Sequence, residues 1–133
     1  MFYGIATNGG TLAFQQAAPT AALANKLLDD RLKALSGADT NDFLYAWDSS
    51  RDYDPEPRLD RIKARVLVIN AADDERNPPE TGITENAVKR IKDAKIHLIP
   101  WGPDSRGHAT TGNAKLYAKE LGELLATAPK KTM

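Results

Sequence analysis

Apolar positions along the chain fall into segments with different periods, and each period predicts an element. In "AALANKLLDDRLKAL" the residues Leu23, Leu27, Leu28, Leu32 and Leu35 recur at helical spacing and make one apolar stripe. Thr20 is placed to cap that helix and Gly37 to stop it. "DTNDFLYAWDSSRDYDPEPRLDRI" is aromatic and apolar at Phe43, Leu44, Tyr45 and Trp47. It predicts a short helix over 41–49, ending before the prolines at 55 and 57. "RVLVIN", 65–70, is a continuous β-branched run without alternation, the pattern of a strand covered on both faces in a parallel sheet. A loop "AADDERNPPETG" follows, then a helix over 84–92, a strand "KIHLIP" over 95–100, and a loop over 101–112. A last helix is predicted over 113–127, with Leu116, Tyr117, Leu121, Leu124 and Leu125 inward. "TNGG" at Thr7 to Gly10 follows no strand and reads as a turn, not a phosphate loop.

The second half therefore reads strand, helix, strand, helix, which is an α/β pattern. Two parallel strands rarely make a core of their own, because a parallel sheet needs cover on both faces and further neighbours. The segment is expected to be the edge of a larger sheet, with its free strand edge at "RVLVIN".

Composition narrows the classes. The chain has 133 residues, the length of one domain, and a formal net charge of zero. A balanced charge removes the simplest case for nucleic acid or anionic membrane as partner. Lys130 and Lys131 are read as solvated. There is no cysteine, which excludes disulfides, thiolate metal sites and a cysteine nucleophile. No apolar run approaches the ~20 residues of a membrane span, and "MFYGIATNGG" does not read as a secretory signal. A cytoplasmic location is the expectation.

Chemistry concentrates in two loops, "DDERNPPETG" and "SRGHATTG". In open α/β sheets functional groups collect beyond the carboxyl ends of the strands. An acid past one strand and a histidine past the next can meet, since adjacent strands lie ~5 Å apart. A carboxylate on one imidazole nitrogen fixes the tautomer and stabilises the imidazolium formed when the other nitrogen takes a proton. That is the orienting half of a nucleophile–base–acid triad, with His108 as base and Asp73 or Asp74 as acid. His97, inside a strand, reads as a packed structural histidine. Arg106 could meet an anion, although a surface ion pair is the plainer role. Asp48, Arg51 and Asp52 read as a local ion network.

Three stretches, "DTNDFLYAWDSSRDYDP", "VLVINAADDERNPP" and "IPWGPDSRGHATTG", together resemble the C-terminal part of the homoserine O-acetyltransferase-like family. These are acyltransferases of the α/β-hydrolase fold. The family's Asp-x-Asn, Leu-Tyr and Asp-Tyr features match Asp39, Asn41, Leu44, Tyr45, Asp52 and Tyr53. The resemblance implies the C-terminal portion of an α/β-hydrolase fold: two parallel strands with flanking helices, preceded by lid-type helices. Residues 1–58 would be the helical lid and its return into the core, and 59–133 the segment carrying acid and histidine. The family's triad acid precedes a proline by four positions, which selects Asp74 with Pro78. The triad histidine maps to His108.

Two departures qualify what the resemblance implies. A Gly-x-Ser-x-Gly elbow is absent; Ser36, Ser49, Ser50 and Ser105 lack its setting and read as capping or solvent-facing residues. In the family an acidic residue after the histidine receives the substrate ammonium, and here Ala109 stands there. The expectation is a segment that contributes Asp74 and His108 to acyl transfer or ester hydrolysis but is inactive alone. Tyr45, Tyr53 and Arg106 are the candidate substrate contacts, with core packing the plainer role for the aromatics. No resident cofactor or metal is expected; an acyl-CoA would be a co-substrate. Expected partners are a small acyl ester or thioester and a nucleophile-bearing half. The competing expectation is a non-catalytic remnant or interaction subunit that associates through its sheet edge.

Overall fold

The computed structural model describes residues 10–34, 37 and 39–129. The chain is a mixed α/β protein with one parallel sheet of two strands. In chain order it runs α1 (Gly10–Ala17), α2 (Ala21–Lys33), α3 (Thr40–Asp48), β1 (Val66–Ala71), α4 (Ile83–Lys89), β2 (Ala94–Ile99) and α5 (Ala118–Thr127), with short 3₁₀ turns between.

Local chemistry accounts for most boundaries. Thr20 caps α2 by accepting from the Leu23 N–H at 3.3 Å. Asp39 caps α3, accepting from Asn41 N–H at 2.8 Å and Asp42 N–H at 3.3 Å. The α2 stripe is weakly covered, since Leu23, Leu28 and Leu32 are exposed. α2 meets α1 instead through the Arg31 guanidinium, 4.9 Å above the Phe14 ring. α1 is not legible in the pattern: "GTLAFQQA" has no acidic first turn and no basic last turn. Leu35, Ser36, Lys130, Lys131, the N-terminal stretch read against a signal, and Thr7 to Gly9 of the expected turn lie outside the described residues. Gly10 opens α1.

β1 and β2 pair in parallel, with Val66 beside Ala94 and Ala71 beside Ile99. Arg65 anchors the sheet's start. Its Nε donates to Asp93 at 2.9 Å and its Nη1 to the Thr127 carbonyl at the end of α5 at 2.6 Å. His97 faces α5, with Nε2 3.4 Å from the Leu116 carbonyl and Nδ1 3.7 Å from Glu120, which fits the reading of a packed structural histidine.

Three expectations are corrected. The last helix starts at Ala118, because Asn113 caps a separate 3₁₀ turn over Ala114–Leu116, its side chain accepting from Lys115 N–H. Leu125 is exposed, while Leu116, Tyr117, Leu121 and Leu124 are half-buried. Covering of β1 on both faces is not met within the chain: Val66 to Ile69 are only half-buried. Among the described residues Ala71 and Ile99 are the buried apolar residues, both at the carboxyl end of the sheet. No helix of the described residues is long and apolar enough to cross a membrane.

Candidate functional site

The buried end of the sheet is also where the two chemistry-bearing loops meet. Beyond β1 the chain turns back on itself, with Asp74 N–H donating to the Ala71 carbonyl at 3.1 Å. The turn carries Asp74 inward, to 3% exposure. Beyond β2 the loop from Trp101 folds onto its own side chains. Ser105 Oγ accepts from Gly102 N–H at 2.9 Å, and Thr110 Oγ1, from a residue 1% exposed, accepts from Arg106 N–H at 2.7 Å. Gly107 sits at φ 55°, a conformation that costs an L side chain ~1–2 kcal/mol. That left-handed residue swings the chain so that His108 faces the acid loop.

His108 Nδ1 lies 3.0 Å from Asp74 Oδ2 and 3.1 Å from Oδ1. The same carboxylate accepts from Arg76 N–H at 2.8 Å and Asn77 N–H at 3.0 Å. Burial pushes the Asp74 carboxyl up. The hydrogen bonds from His108, Asn77 and Arg76 and the charge of His108 outweigh burial and hold it below its ordinary value. An ionised carboxylate only accepts, so Nδ1 must carry the hydrogen. The neutral ring then has its lone pair on Nε2, which has no hydrogen-bond partner among the described residues. The imidazole is about a third exposed, so it is within reach of a reacting group. Such an arrangement has the geometry that a general base requires.

Sequence reasoning left Asp73 and Glu75 without roles. Asp73 Oδ2 accepts from Gly107 N–H and Glu75 Oε2 from His108 N–H, each at 3.0 Å. Three consecutive acids therefore hold two consecutive residues of the other loop. A signal was present in the run "DDE" directly after the strand, but only the tertiary pairing assigns each carboxylate its donor. Both N–H groups are engaged, so neither is open to a developing oxyanion.

The remaining candidates are elsewhere. Tyr45 and Tyr53 are 70% and 77% exposed, so the core-packing role does not hold for them. No hydrogen bond or ring contact joins either to Asp74 or His108 among the described residues. Among the described residues no acid pairs with Arg106; its Nη1 donates instead to the carbonyls of Pro103 at 3.1 Å and Ser105 at 2.6 Å. Ser105 is 3% exposed and locks the turn, so it is not solvent-facing. Ser49 and Ser50 donate to carbonyls at the end of α3. Arg51 pairs with Asp48, and no ion pair joins Asp52 among the described residues. Likewise, the described residues contain no cluster of three or more ligating side chains that could hold a metal ion.

Comparison of the chain with family models, with curated proteins and with solved structures returned no match.

Proposed function

We propose that this chain is the acid–base segment of an α/β-hydrolase-fold acyltransferase or esterase of the homoserine O-acetyltransferase-like kind. The observation that carries the reading is the contact of His108 Nδ1 with the buried Asp74 carboxylate, 3.0 Å away, after two neighbouring parallel strands. The nucleophile is assigned to the complementary half, because the sequence carries no Gly-x-Ser-x-Gly elbow and the described serines, Ser49, Ser50 and Ser105, are held in local hydrogen bonds away from the His108 ring.

The chemistry is double displacement. A serine on the complementary half gives its proton to His108 Nε2 while its oxygen attacks the acyl carbon of an ester or thioester. His108 returns the proton to the departing alcohol or thiol. Water or an acceptor alcohol then repeats the step on the acyl-serine. Asp74 holds the ring in the Nδ1–H form and stabilises the imidazolium. Oxyanion donors also come from the other half. Ala109 offers nothing to an ammonium group, which argues against homoserine and for an uncharged alcohol or water as acceptor. Residues 1–58 act as the lid, whose Tyr45 and Tyr53 are available to line an acyl pocket once covered, with Arg106 at its margin. If the donor is a thioester, acyl-CoA is a co-substrate.

The test is to co-express this chain with the segment encoded directly upstream of it and assay p-nitrophenyl acetate hydrolysis. Turnover by the pair, lost on His108→Ala, supports the reading. An upstream segment without a Gly-x-Ser-x-Gly elbow, or turnover indifferent to His108→Ala, overturns it.

A second reading is an interaction subunit without catalysis. Its support is the surface. Large apolar side chains stand exposed on the helices and loops, among them Phe43, Leu44, Ile83, Trp101 and Leu125, and apolar surface of that kind marks interaction sites. β1 is the edge open to a partner strand, because β2 carries the exposed Lys95 and is followed by Pro100, residues that blunt an edge. Sedimentation velocity on the purified chain tests it: a monomer at all concentrations rejects self-association as the way that surface is covered.

A further inference from the structure

We infer that Asp73 and Glu75 are positioning residues, whose carboxylates hold the backbone N–H groups of Gly107 and His108 and so set the pose in which the His108 ring meets Asp74. The inference rests on the reading of Asp74 and His108 as the site, and adds what places the base. Gly107 at φ 55° followed by His108 at φ −54°, ψ −30° brings two successive N–H groups to one side of the chain. Such left-handed and right-handed pairs form concave anion receptors. Here the two anions come from a loop 34 and 33 residues earlier, each at 3.0 Å.

The alternative role for these acids is a turn within their own loop, and the geometry speaks against it. An Asx turn would have Asp73 accept from a backbone N–H two residues on. Instead its Oδ2 reaches across to Gly107, while its Oδ1 is buried without a partner. The turn-forming role belongs to Asp74, which accepts from Arg76 and Asn77. Three adjacent carboxylates repel one another, an arrangement that needs compensation. Each meets a separate donor from the same two residues, and that supplies it. The rest of the histidine loop bonds within itself, through Gly102 to Ser105 and Arg106 to Thr110, and is held on its far side by the Tyr117 hydroxyl, which donates to the Thr111 carbonyl at 3.1 Å. Without the two N–H contacts, the Asp74–His108 link would be left to join the acid loop to the histidine loop.

The experiment reads the ring and not turnover. The chain is labelled with ¹⁵N, and the His108 tautomer is measured by long-range ¹H–¹⁵N correlation above the pH at which the ring loses its second proton. The chain's two histidines are separated by a His97→Gln variant. Wild type is expected in the Nδ1–H form. In Asp73→Ala/Glu75→Ala the share of that form drops roughly twofold or more as the loop populates other poses. Asp73→Asn/Glu75→Gln retains it, because an acceptor oxygen remains at each position. Amide shifts of β1 and β2 report the fold, and the two single alanine variants stand in should the double variant unfold. If the alanine variants keep the wild-type tautomer while Asp74→Asn loses it, the positioning role is wrong and the Asp74–His108 site survives. If wild type itself is not in the Nδ1–H form, both fall.

Discussion

Replacing Asp74 by asparagine isolates the charged contact at the heart of the site. The side chain is almost fully buried and accepts three hydrogen bonds of 3.0 Å or less, from His108, Arg76 and Asn77. Asparagine keeps Oδ1 for the two backbone donors and loses the charge and the nearer of the two oxygens that face His108. A hydrogen bond to a charged group contributes about 1.5–3 kcal/mol. Part of that is offset because asparagine avoids burying a charge. A net loss of about 1–2 kcal/mol near neutral pH follows, which moves a urea midpoint down by roughly 1 M. The effect has a sign in pH. The folded Asp74 carboxyl titrates below its ordinary value of 3.8. Its stabilisation is therefore complete above that value and is lost as pH falls through the lower, folded one. The gap between wild type and Asp74→Asn should be open near pH 7 and should close on acidification below 3.8. Urea unfolding followed by far-UV circular dichroism at both ends of that range is the assay. Equal midpoints near pH 7, or a gap that persists unchanged in acid, would refute the argument that an ionised Asp74 is bound to His108.

Gly107→Ala should cost about 1–2 kcal/mol, since φ 55° is left-handed, and should disturb the His108 resonances more than those of β1; an unshifted His108 would show that this conformation does not place the ring. Arg65→Ala should cost about 1–2 kcal/mol, because it removes the links from the start of β1 to Asp93 and to the end of α5. The check is hydrogen exchange, which should rise first in the last turn of α5; protection unchanged there would contradict the link.

Much of this protein was legible along the chain. Apolar patterning marked α2, α3, α4 and both strands, and Thr20 marked the start of α2, because Thr20 and the β-branched run before Asn70 act within a few residues of themselves. That an acid after β1 and His108 after β2 could meet was legible too, since both follow strand ends, but Asp73 and Asp74 were told apart only by the family resemblance. What escaped the pattern was long-range. α1 has no acid in its first turn and no base in its last to mark it. The last helix lost its first turn to Asn113. Arg106 and Ser105 were spent on their own loop. Asp73 and Glu75 acquired roles only when a loop more than thirty residues away presented two N–H groups to them. Local pattern is decided by sterics and hydrogen bonds between near neighbours, and so it can be read from one sequence. Which carboxylate meets which donor depends on the parallel register that sets Ala71 beside Ile99, and that register exists only in the folded sheet.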